Sequence, residues 1–143
     1  MLVSQILKDK GDMVFTASPT DSVAAVAALL HARRVGAMVV LSPTREVAGI
    51  VSERDIVRIV AEEGADGLAR PISDCMTHDV IFAEPNETVD SLMTRMTDRR
   101  IRHLPVVEDG HLIGIVSIGD LVKTKIAETV AEAEGLRAYI TAA

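Results

Sequence analysis

Apolar residues recur along this chain at two spacings. Val23, Val26, Ala27 and Leu30 follow one another at three and four residues, and Val89, Leu92, Met93 and Met96 do the same further on. That spacing lays one apolar stripe along a helix. Each stripe is followed by two short apolar segments, AMVVL with EVAGIVS and then HLPVVE with HLIGIVS, which read as strand pairs. Their links are SPTR and Glu108-Asp109-Gly110, the second a strong hairpin signal. A β-prone segment, MVFTA or DVIFA, precedes each helix and ends at a proline-led turn. Asp21 and Glu87 are expected in the first helical turns, where the helix dipole favours anions. Final helices are predicted over 53–63 and roughly 118–141.

The two passages match residue by residue. Pro19 aligns with Pro85, Val23 with Val89, and Arg33-Arg34 with Arg99-Arg100; after one dropped residue GIVSERD (49–55) meets GIVSIGD (114–120). Even the lead-ins correspond, VSQIL (3–7) with ISDCM (72–76). Order kept through both halves identifies an internal duplication. The first copy spans 1–66 and the second 67–143, and Gly64, Gly67 and Pro71 stop the first copy's last helix. A copy of about 60 residues buries too little apolar surface alone. The two are therefore expected to pack about a pseudo-twofold axis as an α+β fold of two βαββα repeats.

Composition narrows the function. Of 143 residues 48% are hydrophobic but only 2% aromatic, so the core must be aliphatic and no stacking platform awaits a flat ligand. A net charge of −6 argues against a nucleic-acid backbone as partner. No apolar run has membrane-spanning length, and the start does not read as a signal peptide, so a cytoplasmic protein without membrane contact is expected. The single cysteine, Cys75, reads as a small apolar residue, and no His/Cys cluster has metal spacing.

The repeated Ser-x-x-Asp carries the chemistry. Ser52 stands where strand gives way to helix, a natural N-cap, and Asp55 falls in the first turn, favoured there without any ligand. The same geometry offers free N–H groups, a positive dipole end and an acceptor-only carboxylate, which together suit a phosphate and a ribose diol. Capping alone would tolerate other residues, so the second copy, Ser117 and Asp120, shifts the balance toward binding.

With SPTDSV and EPNETV, RHLPVV, the hairpin before GIVS and the twice-written G-I-V-S-x-x-D, the chain resembles tandem cystathionine-β-synthase (CBS) domains, paired as a Bateman module of the stand-alone bacterial type. The resemblance covers nearly the whole chain. It implies repeats joined through their sheets, a homodimeric disc, and clefts for adenine nucleotides: AMP, ADP or ATP, in some members NAD or S-adenosylmethionine. It further implies that each cleft draws on both repeats. The first would combine Ser52, Arg54 and Asp55 with His78, Asp79, Val80, Ile101, Arg102, His103 and Pro105. The second would combine Ser117 and Asp120 with Asp12, Met13, Val35, Gly36 and Ala37. RHLPVV becomes GAMVV, and SERD becomes SIGD, so the second cleft is expected to be poorer in cations and weaker for phosphate.

Other residues read more plainly. Arg33-Arg34 and Arg99-Arg100 complement helix C-termini, His31 and His111 are solvent-facing, and Met93 and Met96 fill core. Glu53 and Asp55, two places apart in a helical turn, point different ways, and no nucleophile with a base or metal set is present, so catalysis is not expected. The expected function is a non-enzymatic module sensing an adenine nucleotide. The alternative is a protein-interaction module with vestigial clefts, whose last helix offers Leu121, Ile126, Val130 and Ala133 to a client protein or to its own copy.

Overall fold

A computed structural model describes residues 1–11 and 14–142. Among these residues five helices and five strands run in the order α1 (Val3–Lys10), β1 (Thr16–Ala17), α2 (Val23–Arg33), β2 (Ala37–Leu41), β3 (Val47–Ser52), α3 (Glu53–Glu63), α4 (Val89–Arg99), β4 (His103–Glu108), β5 (His111–Ser117) and α5 (Ile118–Ala142). Two 3-10 stretches, Gly64–Ala69 and Ile72–Asp74, lie between α3 and α4. The fold is mixed α and β, with both repeats visible.

The compact units are offset from the sequence copies. One unit is Met1–Met13 with Phe82–Ala143; the other is Val14–Ile81. The lead-ins have changed places. In the first unit Val3 N–H donates to Glu87 O (3.0 Å), Ser4 N–H to Pro85 O (2.9 Å) and Val89 N–H to Met1 O (3.0 Å). In the second, Val23 N–H donates to Arg70 O (2.9 Å), Ile72 N–H to Asp21 O (2.7 Å) and Ser73 N–H to Pro19 O (3.1 Å). Each lead-in thus satisfies backbone groups at the helix entrance of the other copy, where helical partners are lacking.

Helix entrances differ from expectation by one step. Ser22 and Thr88 are the N-caps, accepting from Ala25 N–H and Ser91 N–H at 3.1 Å each. Asp21 and Glu87 stand just outside. Their carboxylates accept from Ser18 N–H (2.9 Å) and Glu84 N–H (2.8 Å), tightening the proline turns instead of facing the dipole. Glu87 also pairs with Arg95, whose hydrogen bond holds its carboxyl below the usual value against the opposing effect of burial. The helices end as the arginine pairs suggest: Arg34 and Arg100 are left-handed C-caps, both at φ 55°. Arg33 lies over the Phe15 ring, 4.4 Å from its centroid.

The sheets are less equal than the sequence implies. In the Val14–Ile81 unit β1 pairs parallel with β2, and β2 antiparallel with β3. In the other unit β4 and β5 stand as a two-stranded sheet, and DVIFA contributes one parallel bridge, Ala83 to Val106, in place of a strand. Ala83 still takes the place of Ala17, bonding Pro105 O and Val107 N–H at 2.9 Å each. The Asp109-Gly110 turn has both residues at positive φ (52° and 77°), as a two-residue hairpin requires.

Both interiors are aliphatic. The Val14–Ile81 core includes Val23, Val26, Leu30, Met38, Val40, Val51, Ile59 and Ile72, with Cys75 among them. Burial pushes the Cys75 thiol above its ordinary value, consistent with a packing residue. In the other unit Val3, Leu92, Met96, Leu104, Val106, Val116 and Leu121 are buried.

Candidate functional site

Each GIVS phrase is the end of a strand that meets a lead-in and turns into a helix. In the Val14–Ile81 unit Ile50 and Thr77 exchange both backbone bonds, Ile50 N–H to Thr77 O at 3.0 Å and Thr77 N–H to Ile50 O at 2.9 Å. A Cβ on Gly49 would lie 2.7 Å from Thr77 O and 2.6 Å from Met76 Sδ. The glycine lets the chain pass that close. At Gly114 the atoms nearest the same Cβ are those of the Leu7 side chain, at 2.5 Å from Cδ2.

Ser52 then opens α3. Its N–H donates to Asp55 Oδ2 (2.9 Å) and its hydroxyl lies 3.3 Å from the same oxygen. Asp55 Oδ1 faces Arg58 Nη2 at 3.1 Å, and that guanidinium also donates to Cys75 O (3.0 Å). At 7% exposure Asp55 is the one charged side chain buried among the described residues, and these contacts compensate its burial. Glu53 N–H donates to Gly36 O (3.0 Å), and Ala37 pairs with Ser52. Val35 and Gly36 are half-buried, Arg54 exposed.

Ser117 opens α5 in the same way. Its N–H donates to Asp120 Oδ2 (2.9 Å), and Asp120 N–H donates back to Ser117 Oγ (3.2 Å), a reciprocal capping box. Ile118 N–H donates to Arg102 O (2.8 Å), and His103 pairs with Ser117. Here an unforeseen cation enters. Lys10 Nζ, at the end of α1, donates to Asp120 Oδ2 (2.7 Å) and to Ile115 O (3.0 Å). Burial acts to raise the Asp120 carboxyl. The Lys10 hydrogen bond, the Ser117 N–H and the Lys10 charge outweigh it and hold the group below its ordinary value.

Placement of the expected residues follows these units. Ser52, Arg54, Asp55, Val35, Gly36, Ala37, His78, Asp79 and Val80 belong to Val14–Ile81; Ser117, Asp120, Ile101, Arg102, His103 and Pro105 belong to the other unit. Within its unit Ser52 adjoins Gly36 and Ala37, while Ser117 adjoins Arg102 and His103. Val80 and Ile101 are half-buried, Pro105 is buried, and His78 and Asp79 are exposed. Asp12 and Met13 lie outside the described residues. Lys10 is a cation beside Asp120 that the sequence reading did not include. Sequence comparison missed it because Lys10 stands 110 residues from its partner, in the exchanged lead-in. Leu121 is corrected, from an exposed stripe to the core at 0% exposure.

The CBS domain profile matches residues 7–62 and 72–126. The chain belongs to the CBS-domain family. Among solved structures this CBS pair is similar to the CBS-domain containing protein ATU1752 from Agrobacterium tumefaciens, at 44% identity and a TM-score of 0.85 over 87% of this chain and 92% of that one. It is similar to the CBS domain protein PAE2072 from Pyrobaculum aerophilum complexed with AMP (28% identity, TM-score 0.75, covering 84% and 89%). A third similar structure is the CBS domain pair of protein MJ0100 in complex with 5′-methylthioadenosine and S-adenosyl-L-methionine (26% identity, TM-score 0.80, covering 90% and 98%). Among the described residues no cluster of acidic, histidine or cysteine side chains could hold a metal ion, and no helix is long and apolar enough to cross a membrane.

Proposed function

We propose that this CBS pair is a cytoplasmic regulatory module that binds adenine nucleotides and has no chemistry of its own. The observation that carries the reading is the Ser-x-x-Asp helix start built twice, in a family whose relatives PAE2072 and MJ0100 are solved with adenosine compounds. In this reading Asp55 and Asp120 accept ribose hydroxyls, and the free N–H groups of α3 and α5 face the phosphate. Ser52, Arg54, His78 and Asp79 complete the first set and Ser117, Arg102 and His103 the second. With aromatics at 2%, the adenine rests on backbone and aliphatic groups, Val80 and Val35 in one unit and Ile101 and Pro105 in the other.

The module acts as a homodimer in this proposal. Residues 129–142 of α5 are all exposed, with Val130, Leu136, Tyr139 and Ile140 among them. A helical stretch of that length without cover is marginal in water, so a second copy supplies the cover. A client protein would read the ligand through the same surfaces.

The test is a thermal-shift and calorimetry series with AMP, ADP, ATP and NAD at millimolar levels. A ligand bound only by the folded state raises the melting temperature. If all four leave it unchanged, the sensing function is wrong.

A further inference from the structure

Each helix-start carboxylate faces a cation of different origin: Asp55 the Arg58 guanidinium of its own helix (3.1 Å), Asp120 an ammonium from a distant lead-in. Lys10 holds its ammonium 2.7 Å from Asp120 Oδ2. In the alignment of VSQIL with ISDCM, Lys10 falls on Asp79. Asp79 stands two residues beyond Thr77, which pairs with Ile50, the counterpart of the Ile115 that Lys10 touches. Both lead-ins therefore run beside the strand that enters the site, and the first brings an ammonium to it.

We propose that Lys10 is the charge-selecting residue of the Asp120 site, favouring an adenosine ligand with a 5′-phosphate over a neutral or cationic one. The inference rests on the adenosine reading of the helix starts and deepens it. Asp120 Oδ2 accepts from Ser117 N–H and Lys10, and in this reading Oδ1 takes a ribose hydroxyl. An ammonium has three donors, and Lys10 spends two on Ile115 O and Asp120. In this proposal the third goes to a phosphate oxygen. Arg102, whose carbonyl caps α5, adds a second exposed cation to the same unit. A sulfonium or other cation placed there meets Lys10 and is repelled. At the Asp55 start the cation is Arg58, already engaged by Asp55 Oδ1 and Cys75 O, and the residue aligned with Lys10 is Asp79.

The test is a site-resolved NMR titration of the full chain with AMP and with adenosine. Amides of Ser117, Gly119 and Asp120 report one helix start, and those of Ser52, Arg54 and Asp55 the other. The expected result is AMP binding tighter than adenosine at the Asp120 start by roughly tenfold or more. Lys10→Gln lowers that ratio by roughly tenfold, and Lys10→Arg keeps it. A Lys10→Gln protein whose preference for AMP is unchanged overturns the proposal and shows Lys10 to be a pin between α1 and α5. Should Lys10→Gln fail to fold, a Lys10 side-chain resonance in the unsubstituted chain that AMP shifts no more than adenosine does overturns it just as well. If neither compound shifts either set, the adenosine reading itself falls and takes this inference with it.

Discussion

Gly49→Ala and Gly114→Ala are the same change in the same phrase, and the structure assigns them different costs. Neither glycine has a positive φ, so alanine meets no backbone strain and the outcome is decided by contact alone. At Gly49 the new methyl would stand 2.7 Å from Thr77 O, a backbone atom fixed by the paired bonds of 3.0 and 2.9 Å to Ile50. Relief requires moving the lead-in and stretching both bonds, each worth about 1 kcal/mol. Overpacking against Met76 adds about 1–2 kcal/mol, so Gly49→Ala should cost about 3 kcal/mol. At Gly114 the conflict is with Leu7 Cδ2, the far end of a side chain that can change rotamer. Its cost should be about 1 kcal/mol. The entropic gain from replacing glycine is common to both and cancels in the difference. Urea unfolding followed by far-ultraviolet circular dichroism measures the two losses, and native-state hydrogen exchange at Ile50 and Thr77 localises the first. A loss for Gly114→Ala equal to or above that for Gly49→Ala would refute the reasoning.

Asp55→Ala removes a buried carboxylate that satisfies Ser52 N–H and Arg58, and should cost about 2 kcal/mol in unfolding free energy; Asp120→Ala, more exposed, should cost about 1 kcal/mol. Each substitution should also weaken AMP at its own helix start by roughly tenfold or more in calorimetry, a loss that unchanged binding would contradict. The Asp120 carboxyl lies below its ordinary value of 3.8 when folded, so its stabilising contribution is complete above that pH and is lost as pH falls through the folded value. Unfolding midpoints measured through the acid range should therefore drop less steeply for Asp120→Asn than for the unsubstituted protein. Ser22→Ala deletes the cap on α2 and should lower stability by about 1 kcal/mol, read from the same urea curves. Light scattering at micromolar concentration should give twice the chain mass, and a monomer there would exclude the homodimer.

What the sequence determined by itself is what neighbouring residues decide together. The stripes of Val23–Leu30 and Val89–Met96 became α2 and α4 because helical spacing is a local property, and Asp109-Gly110 became the tight turn because its backbone angles suit few other pairs. The duplicated Ser-x-x-Asp became two helix starts for the same reason: its hydrogen bonds span three residues. DVIFA shows the limit. Its β propensity matched that of MVFTA, yet only Ala83 found a strand partner, because pairing depends on what lies alongside. Tertiary structure alone decided the exchange of lead-ins, which carries α1 to the entrance of α4 and Ile72 to the entrance of α2. That exchange gave Asp120 its lysine and packed Thr77 against Gly49, contacts between residues too far apart in the chain for any periodicity to register. Backbone groups left unsatisfied at a helix entrance take whichever donor or acceptor the folded chain brings near, and distance along the sequence does not enter that choice.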